Sequence, residues 1–231
     1  MAFQPIVNLA DGSIFAQEAL VRGTNNESAA SILGQVTDEN RYRFDQACRV
    51  RAIQLAAELD IQSILSINFL PNAVYQPERC IRTTLETAQQ CNFPINRILF
   101  ELTEVEKVKD YAHVHAIIEH YQELGFRTAL DDFGAGYSGL NFLADFHPDF
   151  IKLDMALIRN IDKDKGRQAI VRGIVRVCRD LAIEPIAEGV ETGFELDALR
   201  RFGIQLFQGY YFAKPSFRSV ITDLNLARQL C

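Results

Sequence analysis

The chain has 231 residues, of which 48% are hydrophobic and 23% are charged. This composition is too apolar for an intrinsically disordered chain and too mixed for a bundle of membrane helices. The chain has 24 Lys and Arg residues and 30 Asp and Glu residues, so its formal net charge is -6. Because nucleic-acid polymers are bound mainly by clustered Lys and Arg, we expect no such partner.

Five cysteines lie at wide and irregular spacing and form no CxxC pair. Neither a disulfide scaffold nor a zinc site is therefore indicated. The first residues lack the basic flank and the apolar run of a signal peptide, and no stretch approaches the roughly 18 uninterrupted apolar residues of a membrane-spanning helix. We expect a cytoplasmic protein that does not insert into a membrane. The first strand pattern begins almost at once, which fits a piece of a longer protein as well as a small complete one.

In chain order, short runs rich in Ile, Val, Leu and Phe alternate with longer stretches of helical periodicity. The first two predicted strands flank Asp11-Gly12, a hairpin signal, so this pair is expected to be antiparallel. The predicted strands are Phe3–Asn8, Ile14–Val21, Ile64–Phe69, Arg97–Thr103, Thr128–Phe133, Phe150–Asp154, Glu184–Val190 and Gln205–Tyr210. The predicted helices are Asn40–Leu59, Pro77–Cys91, Asp110–Leu124, Gly139–Phe146, Lys165–Leu181 and Gly193–Phe202.

Repeated strand and helix units of this kind predict an α/β fold around a parallel sheet. Several strands are apolar along nearly their whole length, as expected when helices cover the sheet. No strand is followed by the GxGxxG turn of an open dinucleotide-binding sheet. We therefore predict a modified TIM-type (β/α)8 barrel with an antiparallel first strand pair. No linker interrupts the series, so residues 1–231 are expected to form one domain.

Nearly every predicted strand ends with an acid, an amide or a lysine. The carboxyl ends of barrel strands converge on one mouth, which is where the active sites of such barrels lie. Any one acid at a strand end is more often a helix cap or a turn former than a catalytic group. The set is what points to a site: Glu18, Asn68, Glu101, Asp131, Asp132, Lys152, Asp154, Glu188 and Gln208.

Five or more carboxylates at one mouth would repel each other and raise each other's pKa values unless cations neutralised them. Acids together with one Asn are oxygen ligands, which suit Mg²⁺ or Mn²⁺. The neighbours Asp131 and Asp132 are suited to bridging two ions. Two metals about 3.5–4 Å apart could share a hydroxide and promote in-line attack on a phosphodiester.

Seven separated motifs, in order along almost the whole chain, resemble the EAL-domain family of cyclic di-GMP phosphodiesterases. Any one of them alone would be weak, but the set is specific. The motifs are Glu18-Ala19-Leu20-Val21-Arg22, Asn68, Glu101-Leu102-Thr103-Glu104, Asp131-Asp132-Phe133-Gly134-Ala135-Gly136-Tyr137-Ser138, Lys152-Leu153-Asp154, Glu188-Gly189-Val190-Glu191 and Gln208-Gly209-Tyr210.

The resemblance implies a cytosolic bacterial signalling role and hydrolysis of cyclic di-GMP to linear pGpG. It also implies two Mg²⁺ or Mn²⁺ ions, one held by Glu18, Asn68, Glu101 and Asp131, and the other by Asp131, Asp132 and Glu188. Lys152 would contact the nucleophilic water. Glu104 would fix the segment Gly134–Leu140. The expected nucleotide contacts are Gln4, Leu20, Arg22, Asp154, Glu191 and Gln208.

The resemblance further implies a homodimer formed through the loop after Asp132 and the helix that follows it. It also allows a sensory domain fused outside this sequence. Two departures from the family pattern stand out. Ala135 and Gly139 occupy positions where Thr and Ser are common, and the stretch Gly23–Asn40 is short and lacks the usual Trp. Neither departure removes an expected metal ligand.

The sequence is also compatible with two other functions. A non-catalytic receptor of the same fold would bind cyclic di-GMP, or only a protein partner, and signal by shape. Such proteins usually lack some of the signature carboxylates, whereas this sequence has them all. An unrelated two-metal barrel hydrolase would share the acidic mouth but not the order of the motifs.

Overall fold

A computed structural model describes residues 1–74, 76–103, 111–135, 140, 143–144 and 146–222. Its strands are β1 (Ala2–Asn8), β2 (Ser13–Leu20), β3 (Ile64–Phe69), β4 (Ile98–Thr103), β5 (Arg127–Phe133), β6 (Phe150–Leu153), β7 (Glu184–Ala187), β8 (Leu206–Phe207) and β9 (Ser216–Phe217). Its helices are α1 (Ala29–Leu33), α2 (Arg41–Glu58), α3 (Pro77–Cys80), α4 (Arg82–Gln90), α5 (Tyr111–Glu123), α6 (Met155–Ile158), α7 (Lys165–Asp180) and α8 (Gly193–Arg201). Two 3₁₀ turns, Pro71–Ala73 and Ile95–Arg97, precede α3 and β4.

Eight of the strands close into a barrel. Strands β2 to β8 follow one another as parallel neighbours, and β1 lies between β8 and β2. β1 runs antiparallel to both of them. The predicted barrel and its antiparallel first pair are therefore confirmed. β9 adds to the start of β1, where Phe217 pairs with Ala2.

The boundaries differ from the predicted ones mainly at the mouth of the barrel. β7 ends at Ala187 and β8 at Phe207, so the residues that follow leave the sheet and form loops. Asp154 does not extend β6 but caps α6, accepting a hydrogen bond from the backbone N–H of Ala156. The predicted helix Pro77–Cys91 is interrupted at Ile81, which divides α3 from α4. Half of the predicted helix Gly139–Phe146 lies outside the described residues.

Apolar side chains fill both surfaces of the barrel wall. A large cluster lies between the strands and the surrounding helices, with fully buried side chains such as Phe100, Ile53 and Val171. A smaller cluster fills the inside of the barrel. Among the described residues, no helix has both the length and the apolar character needed to cross a membrane.

Candidate active site

The inside of the barrel carries one apolar side chain from each of the eight strands. Side chains two positions apart on a strand point to the same face, so the residue two positions nearer the mouth also points inward. On or just after every strand that residue is polar. The apolar layer is Ile6, Ala16, Ile64, Leu99, Ala129, Phe150, Ile186 and Leu206. The layer above it, here called the polar ring, is Gln4, Glu18, Ser66, Glu101, Asp131, Lys152, Glu188 and Gln208.

Lys152 is the cation at the centre of the polar ring, and its side chain is only 1% exposed. Its Nζ lies 2.6 Å from Glu188 Oε1 and 2.7 Å from Glu101 Oε2. Asp131 Oδ1 follows at 3.2 Å and Glu18 Oε2 at 3.5 Å. One ammonium group thus contacts carboxylates from four different strands or strand ends.

Hydrogen bonds fix the carboxylates that surround Lys152. Glu18 accepts a bond from Asn68 Nδ2 at 2.8 Å through Oε1, and one from Gln208 Nε2 at 2.7 Å through Oε2. The hydroxyl of Ser66 donates to Glu101 Oε1 at 2.5 Å. Glu101 and Ser66 are fully buried, which keeps water from competing for these contacts.

Burial and neighbouring charges move the pKa values in the ring in opposite directions. Burial raises the pKa of Glu18, but Lys152 and the two amide donors outweigh it, so this pKa lies below its ordinary value. Burial and the charge of Glu18 raise the pKa of Glu101 well above its usual range. Burial likewise raises the pKa of Glu188 strongly, despite Lys152.

The pKa of Lys152 is also raised, but by the charges around it and against the effect of burial. Burial alone lowers it, but the charges of Asp131, Glu101, Glu18 and Glu188 outweigh burial and raise it well above the usual value. The amine is therefore held protonated near neutral pH, and its charge offsets only part of the negative charge around it.

Asp131, Asp132 and Glu188 form the strongest candidate for a metal site. Each offers an oxygen atom, and these oxygens lie within 4.8 Å of one another. The backbone of Asp132 has a φ of 55°, in the left-handed region, and its N–H donates to Asp131 Oδ1 at 2.9 Å. Burial, followed by the charges of Asp131 and Asp154, raises the pKa of Asp132 to about 6. A donor set made only of oxygens fits a hard divalent cation such as Mg²⁺ or Mn²⁺.

Two glutamines bring amide groups to the same mouth. Gln4 pairs in register with Glu18 and donates through Nε2 to the carbonyl oxygen of Ala213 at 3.0 Å. Gln208 donates to Glu18, while its own Oε1 is buried without a hydrogen-bond partner among the described residues. A buried acceptor of this kind is available to a ligand that carries a donor.

The remaining expected nucleotide contacts lie on the rim of the mouth rather than in the polar ring. Leu20 ends β2, and Arg22 donates to the carbonyl oxygen of Val21 at 2.7 Å. Asp154 caps α6. Glu191 is half exposed and forms an ion pair with Arg159 at 2.8 Å. Glu104 and most of the segment Gly134–Leu140 lie outside the described residues.

Sequence reasoning missed three residues of this region. Ser66 lies inside β3 rather than at its end, although it stands two positions before Asn68 and so shares its face. Arg159 and Glu195 were also not predicted. Glu195 had a local signal, because Thr192 and Glu195 have the spacing of a helix capping box, and α8 does begin with one.

The comparisons with known proteins agree on one family. The EAL domain profile matches residues 1–215. The blue light- and temperature-regulated antirepressor BluF of Escherichia coli K12 is 33% identical over 220 residues, which is 95% of this chain and 55% of BluF. The probable cyclic di-GMP phosphodiesterase PdeG of the same bacterium is 31% identical over 226 residues, or 92% of this chain and 44% of PdeG. The chain thus spans about half the length of these two relatives.

Solved structures of EAL proteins share the fold of this chain. A standalone versatile EAL protein from Vibrio cholerae O395, in its c-di-GMP bound form, has a TM-score of 0.94 at 58% identity and covers 96% of this chain and 94% of its own. The manganese/cy-diGMP complex of Klebsiella pneumoniae BlrP1 has a TM-score of 0.89 at 36% identity, over 94% of this chain and 56% of its own. With the profile extending over 215 residues and the barrel shared by both structures, this chain belongs to the EAL domain family.

Proposed function

We propose that this chain is a metal-dependent phosphodiesterase that hydrolyses one phosphodiester bond of cyclic di-GMP and releases linear pGpG. The observation that carries the proposal is the polar ring, in which carboxylates from four strands or strand ends surround one buried ammonium group. The name of PdeG and the nucleotide bound by the Vibrio cholerae protein support the same substrate.

The carboxyl groups near Lys152 outnumber it five to one, since Asp132 adjoins the four that contact it. Such an excess of negative charge opposes an anionic phosphodiester unless cations are present. We assign Glu18, Asn68, Glu101 and Asp131 to one ion, and Asp131, Asp132 and Glu188 to a second. When bound, Mg²⁺ or Mn²⁺ would lower the pKa of a water molecule and offset phosphate charge. The manganese in the BlrP1 complex supports a divalent ion.

The protein's own groups have separate tasks in this proposal. Lys152 Nζ stays protonated, orients the attacking water and stabilises negative charge on the phosphoryl oxygens. Asn68 and Gln208 hold the carboxylate of Glu18 in one orientation through its two oxygens. The apolar layer beneath the ring keeps the floor of the site dry, which strengthens these electrostatic contacts.

We assign nucleotide binding to Gln4, Leu20, Arg22, Asp154, Glu191 and Gln208, and control of the segment Gly134–Leu140 to Glu104. Arg22 carries a planar guanidinium that suits a phosphate. Gln208 offers to a donor on the ligand its buried Oε1, which has no partner in the described part of the chain. The assignment of Glu104 rests on the resemblance alone, and the others rest on the resemblance and on the positions of the residues around one mouth.

A turnover assay tests the proposal directly. Purified protein is incubated with cyclic di-GMP and Mg²⁺ or Mn²⁺, and pGpG is separated by chromatography. We expect product in the presence of metal and none with EDTA. The Asp197→Asn variant, which changes an exposed acid on α8, serves as the active control. Absence of pGpG under every metal condition would overturn the proposal.

A second candidate is a non-catalytic regulator of the same fold, and the match to the antirepressor BluF over 95% of this chain favours it. The Glu18→Ala variant distinguishes the two functions. An enzyme loses turnover when this carboxylate is removed, whereas a receptor that binds nucleotide without metal keeps most of its affinity. The turnover assay measures the activity of this variant, and titration calorimetry with cyclic di-GMP measures its affinity.

We further propose that residues 1–231 form one domain that works in the cytoplasm as a homodimer, with or without a sensory domain outside this sequence. The EAL domain match over residues 1–215 supports the domain assignment. Sedimentation velocity over a range of concentrations tests the dimer, and a single species with the mass of one chain would contradict it.

A further inference from the structure

Glu195 joins the two loops that carry the mouth residues after β6 and β7. Its side chain is only 3% exposed. One oxygen, Oε1, accepts the backbone N–H of Asn160 at 3.0 Å, in the loop after α6. The other, Oε2, accepts the N–H groups of Glu191 and Thr192, both at 3.1 Å, in the loop after β7. A single buried carboxylate thus binds backbone donors from both loops.

Arg159 lies between two carboxylates of the same region. Its guanidinium contacts Glu191 Oε1 at 2.8 Å and Glu195 Oε1 at 3.5 Å. Its own carbonyl oxygen accepts a hydrogen bond from Arg167 at 2.8 Å, which anchors it to α7. Arg159 is about one third exposed and Glu191 about one half. Without Arg159, Glu191 would be an exposed carboxylate free to rotate.

These contacts connect directly to the candidate active site. Glu191 lies three residues after Glu188, and the N–H of Glu188 donates to the carbonyl oxygen of Leu153, next to Lys152. Asn160 has a φ of 57°, a left-handed conformation that its bond to Glu195 helps to hold. The relative position of the β6 and β7 loops therefore depends on Glu195 and Arg159.

The charge of Glu191 gives Arg159 a second effect. A carboxylate that faces an anionic nucleotide repels the phosphates unless a cation stands beside it. Arg159 supplies that cation at 2.8 Å from Glu191 Oε1, and about half of the Glu191 side chain stays exposed to a donor on the ligand. A carboxylate in this state suits the N–H donors of a guanine base better than a phosphate.

We propose that Arg159 and Glu195 are positioning residues of the nucleotide site, and that they orient Glu191 to accept hydrogen bonds from the ligand. The inference rests on the proposed function. It predicts that loss of Arg159 weakens ligand binding through Glu191, with little effect on the chemical step.

A double-mutant cycle tests this coupling. The variants are Arg159→Gln, Arg159→Lys, Glu191→Gln and the double Arg159→Gln/Glu191→Gln, with Arg176→Gln as the control. Arg176 is an exposed arginine of α7 that pairs with Asp180, away from the mouth. The readouts are KM and kcat for cyclic di-GMP with Mn²⁺, and affinity for its non-hydrolysable phosphorothioate analogue.

We expect Arg159→Gln to raise KM and weaken analogue binding about tenfold, the usual scale for a lost charge-assisted hydrogen bond, with kcat within about twofold. Arg159→Lys restores part of the affinity. In the Glu191→Gln background the further loss caused by Arg159→Gln falls below about twofold, because the partner is already gone. An unchanged KM in Arg159→Gln, or an equal loss in both backgrounds, overturns the inference.

The Glu195→Gln variant gives a readout that does not depend on turnover. We expect amide hydrogen exchange at Asn160, Glu191 and Thr192 to quicken together by about tenfold, with no change in the β-strands. Unchanged exchange at these three amides counts against the role of Glu195. Failure of the proposed function looks different, since the wild-type protein would then release no pGpG with any metal, whether or not it binds the analogue.

Discussion

The ammonium nitrogen of Lys152 lies 2.6 Å from Oε1 of Glu188, across the gap between β6 and the loop after β7. Glu188 is only one of four carboxylates that this nitrogen contacts. Removal of Lys152 therefore leaves several buried acids without their cation, a change that is costly in a folded protein.

The Lys152→Met variant should be less stable by about 3 kcal/mol, the lower range for breaking a buried ion pair. In a domain of this size that corresponds to a fall of about 6–12 °C in melting temperature. Turnover should fall by about 100-fold or more, because stabilisation of developing charge is lost. Thermal melts and the pGpG assay measure both effects. A variant with wild-type turnover would contradict the role of Lys152.

The metal-free protein should gain stability when Asp132 is replaced by Asn. An unfolded Asp releases its proton near its ordinary pKa of 3.8, whereas folded Asp132 does so at about 6. Between these pH values the folded state holds more protons, so its stability falls as pH rises, and above about pH 6 the whole penalty is present. Asn removes this penalty and tolerates the left-handed backbone.

We expect the melting temperature of Asp132→Asn to exceed that of the wild type by about 2–4 °C near pH 7.5 in EDTA, the shift that about 1 kcal/mol gives. The difference should shrink toward pH 4. Added Mn²⁺ should reverse the order, because only the wild type offers the ion a charged carboxylate at this position. The Asp197→Asn control should follow the wild type throughout. A gain that does not vary with pH would contradict the assignment of the shift to Asp132.

Much of the mouth could be predicted from the sequence because its residues end apolar runs that are visible locally. Glu101 and Asp131 each follow three apolar or small residues, and the set of such strand ends identifies the site although no single one would. Ser66 could not be found in this way, because a serine inside a strand has no distinct local signal. Its role comes from Glu101 on the neighbouring strand, at 2.5 Å.

Short elements and contacts between distant residues also could not be predicted, because they leave no local pattern in the sequence. β9 has two residues and exists through pairing with β1, more than 200 positions earlier in the chain. α1 has five residues and no buried side chain, so it leaves no hydrophobic periodicity to detect. The contact between Arg159 and Glu191 also joins two loops that local patterns treat separately.

A second buried ion pair stabilises the end of β3 from outside the barrel. Arg49 Nη2 lies 2.7 Å from Asp45 Oδ2, and both side chains are at most 2% exposed. Asp45 Oδ1 also accepts the N–H of Leu70 at 3.0 Å, two residues after Asn68. Arg49 donates to the hydroxyl of Tyr121 at 3.0 Å and lies over the ring of Phe100.

Replacement of Asp45 by Ala should reduce the free energy of unfolding by about 3–5 kcal/mol, because a guanidinium is left buried without its carboxylate. The double variant Asp45→Leu/Arg49→Met should lose less than Asp45→Ala alone, since it removes both charges. Urea unfolding followed by circular dichroism measures each value. If the double variant loses more free energy of unfolding than the single one, the pair does more for stability than neutralise two buried charges.

The thiol of Cys178 should be unreactive in the native protein. Burial raises its pKa to about 12. At pH 8 only about one thiol in 10⁴ is then ionised, and the thiolate is the reactive form. Iodoacetamide should therefore modify Cys178 at least about 100-fold more slowly in the native protein than in urea, as measured by mass spectrometry. Equal rates in both states would contradict the raised pKa.

The closed barrel limits the positions at which residues can be inserted into the chain or deleted from it. A single-residue insertion within β5, ahead of Asp131, would turn the Asp131 side chain from the inner to the outer face of the barrel. The reason is that successive side chains alternate between the two faces of a strand. No neighbouring strand could shift to compensate, since each is hydrogen-bonded on both sides around the circle. Insertions and deletions should therefore be tolerated in the connecting loops and not in the eight strands, which a library of single-codon insertions scored for pGpG formation would reveal.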